Sequence, residues 1–130
     1  MKIIITIIFS YLISIPAFAE ESYSCIGIKT VGFNVERKFN ITKFTPHKWI
    51  IKRSNNNSWN VYEHDKSHPE MFCDDLNSDV FDKLKCDGLY GNLVMSKTTL
   101  RFVSSMYGQY IDDDLNTENI AIEIGECSKH

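Results

Sequence analysis

Hydrophobic and polar residues alternate along most of the chain, in short runs separated by turn residues every eight to twelve positions or so. Alternation with a period of two is typical of β-strands that bury one face and expose the other. The pattern therefore predicts an all-β domain, a small antiparallel barrel or sandwich of about eight strands. The candidate strands are Tyr23–Ile28, Val31–Glu36, Ile41–Phe44, Lys48–Arg53, Ser58–Tyr62, Leu93–Ser96, Thr99–Ser104, Tyr107–Ile111 and Ile120–Glu126.

One segment departs from this alternation. Ser78 has the character of a helix N-cap, acidic Asp79 follows it, and Val80 and Leu84 stand four residues apart. These features predict a short helix or an irregular segment near residues 78–85, with a strand as the alternative.

The first nineteen residues read as a signal peptide. Lys2 supplies a positive charge, the apolar run Ile3–Ile15 follows, and Ala17-Phe18-Ala19 has the small-x-small pattern of a cleavage site. A run of roughly 13 residues is too short to span a bilayer, which takes about 20. We therefore expect cleavage after Ala19, no stable membrane anchor, and a single secreted or periplasmic domain over residues 20–130. An uncleaved anchor is the alternative.

The charge balance argues against a nucleic-acid partner. The chain has 14 basic and 17 acidic residues, and loss of Lys2 with the signal peptide leaves 13 against 17, a net charge of −4. Nucleic-acid binding depends on a clustered basic surface. The nearest approach to one is the set Lys43, Lys48, Lys52 and Arg53, and four charges on exposed strands are common.

Four cysteines lie after the predicted cleavage site, which indicates two disulfides in an exported domain of this size. Their spacing has no C-x-x-C pair of the kind that binds zinc. In the first and last strands the isoleucines share one face, and Cys25 and Cys127 fall on the other. This parity favours Cys25–Cys127, which joins the chain ends, and leaves Cys73–Cys86. A bulge at Gly125 would upset the parity, so the other two pairings stay open.

Aromatic residues are frequent and can form either a hydrophobic core or an exposed ligand-binding platform. A small β domain fills its core with such side chains, so we interpret most of them as core. The cluster Tyr107-Gly108-Gln109-Tyr110 lies beside a polar loop and is where an exposed patch is expected. The aromatic residues considered are Phe33, Phe44, Trp49, Trp59, Tyr62, Phe72, Phe81, Tyr90, Phe102, Tyr107 and Tyr110.

The chain lacks the sequence motifs of common catalytic sites, namely G-x-S-x-G, H-E-x-x-H and a phosphate-binding glycine loop. Disulfides would remove the cysteines as nucleophiles. A serine or threonine partnered by His47 is the remaining catalytic arrangement. We expect no enzyme activity and no cofactor.

The densest group of potential metal ligands places His64 and His68 beside Asp65, Glu70 and Cys73. Histidines four apart share a face on a helix and can bind zinc there. The intervening Ser67 and Pro69 indicate an irregular loop instead, so no metal site is expected.

A second candidate metal site is the acidic run near the C-terminus. Asp112, Asp114, Asn116 and Glu123 fall at positions 1, 3, 5 and 12 of a calcium-loop template. Thr117 replaces the glycine that the sharp turn requires, and the flanks read as strands. We interpret the run as a polar hairpin loop, with a looser calcium site as the alternative.

The layout resembles the family of periplasmic inhibitors of C-type lysozyme. The resemblance rests on Ser22-Tyr23-Ser24-Cys25 after a signal sequence, a β-rich body, and a bridge to a C-terminal cysteine. That family carries a serine-glycine-tyrosine loop that enters the lysozyme cleft. Ser104-Ser105-Met106-Tyr107-Gly108 contains these residue types in another order. Leu100–Phe102 and Ile122–Cys127 also resemble segments of short exported bacterial proteins with no assigned role.

These observations predict a noncatalytic exported binding protein that acts on a protein partner outside the cytoplasm. Inhibition of a lysozyme is the first named candidate activity. The alternatives are a small secreted hydrolase and a calcium-dependent binding module. The expected contact loop is Ser104–Asp114, with partner-binding residues Tyr107, Gly108, Tyr110, Asp112 and Asp113.

Overall fold

A computed structural model describes residues 20–34, 36–54, 58–77, 80, 82–108 and 119–130. Throughout these ranges the regular secondary structure is β-strand, and no helix in them could span a membrane. The described strands are β1 (Ser22–Asn34), β2 (Asn40–Phe44), β3 (Lys48–Arg53), β4 (Trp59–Glu63), β5 (Met71–Asn77), β6 (Asp82–Gly88), β7 (Gly91–Ser96), β8 (Arg101–Met106) and β9 (Ile120–Lys129).

In the described ranges, eight of these strands form a closed antiparallel barrel. From β3 to β9 each strand pairs with the next, and β9 pairs with β1 to complete the ring. β1 is long enough for β3 to pair along its first half and β2 along its second half, on the same edge. The ninth strand, β2, therefore extends the sheet beyond one end of the barrel.

β1 is a single strand where the sequence predicts two. Its pairing with β9 shifts register between Gly27 and Lys29, so Ile28 lies in a β-bulge. A bulge increases local twist without ending the pairing. The strand continues through Thr30 to Asn34, where a turn leads to β2.

The predicted helix near residues 78–85 is wrong over the described residues from Asp82 onward. They form β6, with Leu84 fully buried and paired opposite Asp75. The four-residue spacing of Val80 and Leu84 is fortuitous, because Leu84 and Cys86 alternate inward with a period of two.

Two further differences concern strand boundaries. β5 has no counterpart among the predicted strands, since it is exposed along most of both faces and carries little apolar alternation. The strand predicted over Tyr107–Ile111 is also wrong at its described residues. Tyr107 and Gly108 lie just after β8, and their backbone N–H groups both donate to the carbonyl of Tyr90.

Inward-facing side chains fill the barrel. Eight strands enclose just enough space for side chains to pack across the interior. Burial of this apolar surface is the main stabilising contribution to the fold. The core contains Tyr23, Cys25, Trp49, Ile51, Trp59, Val61, Met71, Leu84, Cys86, Leu93, Met95 and Phe102.

The disulfides pair as the parity of the strands predicts. Cys25–Cys127 joins directly opposite residues of β1 and β9, and Cys73–Cys86 does the same for β5 and β6. The isoleucine faces of β1 and β9 point outward, so both cysteines of the first bridge lie on the interior side. The first bridge closes the ring of strands, and the second fastens a hairpin within it.

Candidate functional site at the barrel mouth

One end of the barrel, here called the mouth, is open to solvent. It is formed by the start of β3, the β4–β5 and β6–β7 connections, and the ends of β2 and β8. Two adjoining grooves of about 290 and 330 Å3 lie there, and His47, Met106 and Asn119 line both. The mouth is a concave surface lined by polar and titratable side chains, which makes it the candidate for a binding site.

A buried carboxylate lies beneath the mouth, bonded to residues that line it. Glu123 of β9 is 0% exposed and points into the barrel. Its Oε2 accepts hydrogen bonds from Thr30 Oγ1 at 2.6 Å and from the backbone N–H of His47 at 2.7 Å. Its Oε1 accepts from Trp49 Nε1 at 2.9 Å. The carboxylate therefore ties β1 and β3 to β9.

His47 completes this cluster. Its Nδ1 lies 3.2 Å from Glu123 Oε2, and its ring stacks on Trp49 with 5.3 Å between centroids. The hydrogen bond to Glu123 raises the pKa of His47, although burial opposes the change. Burial acts to raise the pKa of Glu123, but the donors around it outweigh that effect and the pKa is lowered. Both shifts favour a charged His47–Glu123 pair.

The strand pattern explains how a carboxylate comes to lie in the core. On β9 the isoleucines face outward, so Ala121, Glu123 and Gly125 face inward. Gly27 on β1 provides the space. A Cβ at that position would lie 2.7 Å from the Glu123 carboxylate and 2.8 Å from Pro46 Cβ.

A charged cluster holds the rim of the mouth in place. Lys66 Nζ lies 2.8 Å from a carboxylate oxygen of Glu63 and 2.9 Å from one of Glu70. Hydrogen bonds to the two acids raise the pKa of Lys66. These residues line the same groove as Tyr90 and Gly108, so the rim carries one base between two acids.

The sequence-predicted partner loop is only partly within the described residues. Gly108 lines the mouth with φ at 51°, a left-handed conformation that favours glycine. Tyr107 is half-buried beside it. Ser104, expected at the start of the loop, is instead fully buried in β8 and faces the barrel interior. The other candidates lie outside the described residues, namely Tyr110, Asp112, Asp113, Asp114 and Asn116.

The sequence predicts that His64 and His68 lie in an irregular loop, and the structure places them in the connection between β4 and β5. His64 pairs with Asp65 at 2.8 Å and His68 with Glu70 at 3.4 Å, while Cys73 is in a disulfide. Among the described residues, no group of three or more His, Cys, Asp or Glu side chains is arranged to hold a metal ion.

The aromatic residues divide between core and surface. Trp49, Trp59 and Phe102 are buried, whereas Phe33 and Phe72 are exposed on the outside of the barrel. Phe81 and Tyr110 lie outside the described residues. The interpretation as core is therefore right for the tryptophans and wrong for Phe33 and Phe72.

Sequence reasoning missed the importance of Glu123. It assigned this residue to the isoleucine alternation or to a calcium loop, while the structure makes it the centre of the hydrogen-bonded cluster beneath the mouth. Two small inward neighbours, Ala121 and Gly125, were the available signal, because small residues on one face leave room for a polar cluster. The hydrogen-bond partners come from 74 to 93 residues away in sequence, beyond the reach of any local pattern.

The chemistry available at the mouth is that of an oriented histidine. A carboxylate that holds a histidine ring is how many enzymes orient a general base. Within the described residues, however, no serine or threonine hydroxyl is hydrogen-bonded to His47, and Thr30 donates to Glu123. The cluster forms a hydrogen-bonded polar layer beneath the grooves.

Comparisons of the chain with protein-family models, curated proteins and solved structures gave no match.

Proposed function

We propose that this chain is a noncatalytic binding protein that acts outside the cytoplasm and contacts a protein partner at the barrel mouth. The observation that carries the proposal is the pair of adjoining grooves at one end of a barrel whose interior is filled. The core side chains occupy the interior, which leaves the shallow surface of the mouth for recognition. An open surface of this kind suits a protein loop better than an enclosed small molecule.

The fixed geometry of the mouth supports binding at low entropic cost. Glu123 anchors His47 and Trp49, and Lys66 is held between Glu63 and Glu70. Side chains that are already ordered lose little conformational freedom when a partner binds. Preorganisation is therefore a reason to assign recognition to this end of the barrel.

The disulfides support the location. Cys25–Cys127 and Cys73–Cys86 are compatible with an oxidising, extracytoplasmic compartment, where such bridges form and persist. Export through a signal peptide cleaved after Ala19 is part of the same proposal. Intact-mass analysis of the extracytoplasmic protein tests it, since a product that still contains residues 1–19 would contradict cleavage.

The experiment for the partner is affinity capture from the native extracytoplasmic fraction with a matched pair of variants. Glu70→Lys reverses a charge at the mouth, and Asp74→Lys makes the same change in net charge on the exposed outer surface of β5. We expect the wild type and Asp74→Lys to retain the same protein and Glu70→Lys to lose it. Equal capture by both variants would place the binding site elsewhere.

Inhibition of a C-type lysozyme is the second candidate function. The observation that favours it is that Gly108, at the start of the β8–β9 connection, lines the mouth together with acidic Glu63 and Glu70. Acidic groups at a binding surface steer a basic protein toward it, more strongly at low salt. Tyr107, half-buried beside Gly108, provides further contact area at small entropic cost.

Residual lytic activity tests this candidate directly. A C-type lysozyme is assayed at low ionic strength with the protein in molar excess, and with a Tyr107→Ala, Tyr110→Ala double variant as comparison. Inhibition by the wild type that is lost in the double variant is expected. Full lytic activity with the wild type would exclude the lysozyme candidate while leaving the broader binding proposal to the capture experiment.

A further inference from the structure

The outer surface of β1, β2, β8 and β9 carries a group of exposed apolar side chains, here called the outer apolar face. Exposure reaches 60% for Ile28 and 76% for Ile41. These side chains are as large as those in the core, yet they point to solvent. The members of the face are Ile26, Ile28, Val31, Phe33, Ile41, Val103, Ile122 and Ile124.

The strand register makes this face continuous. Directly opposite residues of an antiparallel pair have their side chains on the same surface. Phe33 lies opposite Ile41, Val31 opposite Ile122, and Val103 opposite Ile124. At one end, Phe33, Ile41 and Ile122 line an apolar groove of about 240 Å3.

The extent of the outer apolar face indicates an interaction site. Eight exposed apolar residues lie together on four neighbouring strands, whereas exposed apolar residues of a soluble monomer are usually scattered singly. Isolated surface apolar residues need no explanation, but a contiguous patch of this extent marks an interaction site.

Basic residues lie within and around this face. Lys29 pairs opposite Ile124, Lys43 opposite Val31, and Lys48 opposite Ile26. Exposed Arg37 and Lys38 follow in the turn between β1 and β2. Among the described residues on this side the acids are Glu36 and Glu126, so this part of the surface is cationic although the whole chain has a net charge of −3.

This charge arrangement decides between possible occupants. A second copy packed on the face would bring two cationic surfaces together. Lysine is depleted at protein–protein interfaces relative to the rest of the surface, and Lys29, Lys43 and Lys48 lie within or beside this face. Aliphatic side chains surrounded by lysines with apolar stems instead match a bilayer surface with anionic headgroups.

We propose that the outer apolar face docks the protein reversibly on an anionic lipid surface, with the aliphatic side chains entering the interface and the lysines contacting headgroup phosphates. This inference concerns a different surface from the mouth. It assigns the protein a place at a lipid surface, whichever partner the mouth binds.

Vesicle sedimentation tests this inference. The purified protein is mixed with vesicles of phosphatidylglycerol and phosphatidylcholine, or of phosphatidylcholine alone, at low and at high salt. We expect binding to the anionic vesicles that weakens with salt, since headgroup attraction is screened. No sedimentation with anionic vesicles at low salt would overturn the proposal.

Matched variants locate the site. Ile41→Glu and Lys43→Glu change the face, and Leu89→Glu adds an acid at another apolar residue, 70% exposed, in the β6–β7 turn. The first two should weaken partitioning at least about tenfold, while Leu89→Glu leaves it near the wild-type value. Equal loss in all three would contradict docking through this face.

Two control measurements keep the result interpretable. An unchanged melting temperature shows that each variant is folded, which the high exposure of Ile41 leads us to expect. Light scattering gives the oligomeric state. A wild-type dimer that Ile41→Glu converts to a monomer, without vesicle binding, would assign the face to a second copy and overturn the lipid proposal.

Discussion

Glu123 is the residue on which the packing of the mouth depends. A carboxylate removed from water is costly unless hydrogen bonds and an opposite charge replace its hydration. Here Thr30, Trp49 and His47 supply them. The same donors would be left unsatisfied if the carboxylate were lost.

Two substitutions of Glu123 distinguish the contribution of its charge to stability from that of its hydrogen bonds. Glu123→Leu leaves buried donors without an acceptor and should lower the free energy of unfolding by about 3 kcal/mol. Glu123→Gln keeps one acceptor oxygen and should cost about half as much. Urea denaturation measures both. A Leu variant as stable as the wild type would show that the cluster contributes nothing to folding.

The His47–Glu123 pair predicts a defined pH dependence. The pKa of Glu123 is lowered, so its stabilisation is full above its ordinary value of 4.5 and is lost as pH falls through the folded-state pKa. The pKa of His47 is raised, so its stabilisation is full below its ordinary value of 6.5 and is lost as pH rises through the folded-state pKa.

The contribution of the pair should therefore be greatest between about pH 4.5 and 6.5. The measurement is the difference in unfolding free energy between the wild type and His47→Gln from pH 4 to pH 8, which extends beyond both ends of this window. Other carboxylates cancel in that difference. A difference that stays constant from pH 4 to pH 8 would contradict a charged pair.

At the scale of the strands, the seam between β1 and β9 requires small residues. Gly27 and Gly125 face each other across the seam, next to the bulge. A Cβ at Gly125 would overlap the carbonyl oxygen of Ile26 and the ring of Phe102. The two strands can approach this closely only because neither residue carries a side chain.

Gly125→Ala should therefore destabilise the protein by about 2 kcal/mol or more, because backbone or a buried ring must move. Ser128→Ala on the exposed end of the same strand is the control and should change stability by less than about 0.5 kcal/mol. Thermal melts compare the two. Equal melting temperatures would show that the seam can relax.

Sequence alternation predicted those strands that have one buried and one exposed face. β3 and β9 follow this pattern, and the parity of β1 and β9 favoured the pairing of Cys25 with Cys127 that the structure shows. β5 was missed because Asp74 to Asn77 are exposed on both faces and leave no apolar period. Alternation does not show which face of a strand points inward. The structure places the isoleucines of β9 outside and Glu123 inside.

For the whole molecule, the two disulfides should differ in their effect on stability. The Cys25–Cys127 bridge spans 102 residues of sequence and Cys73–Cys86 spans 13. A bridge that closes a longer loop removes more conformational entropy from the unfolded chain. The expected stabilisation is about 4.7 kcal/mol for Cys25–Cys127 and about 3 kcal/mol for Cys73–Cys86.

Paired alanine variants test this difference without leaving a free thiol. Cys25→Ala with Cys127→Ala should lower the denaturation midpoint more than Cys73→Ala with Cys86→Ala. Cys25 and Cys86 are both buried, so the lost packing is similar in the two variants. The reverse order would indicate that the hairpin bridge holds a structure that the barrel closure does not.

The nested arrangement of the two bridges has a consequence for biogenesis. A chain exported N-terminus first exposes Cys25 to oxidants long before its partner Cys127 emerges, while Cys73 becomes available in between. An oxidase that joins cysteines in order of appearance would produce the mispaired isomer Cys25–Cys73. If the chain is exported as proposed, correct pairing of both bridges needs either delayed oxidation or a disulfide isomerase that reshuffles the first bond.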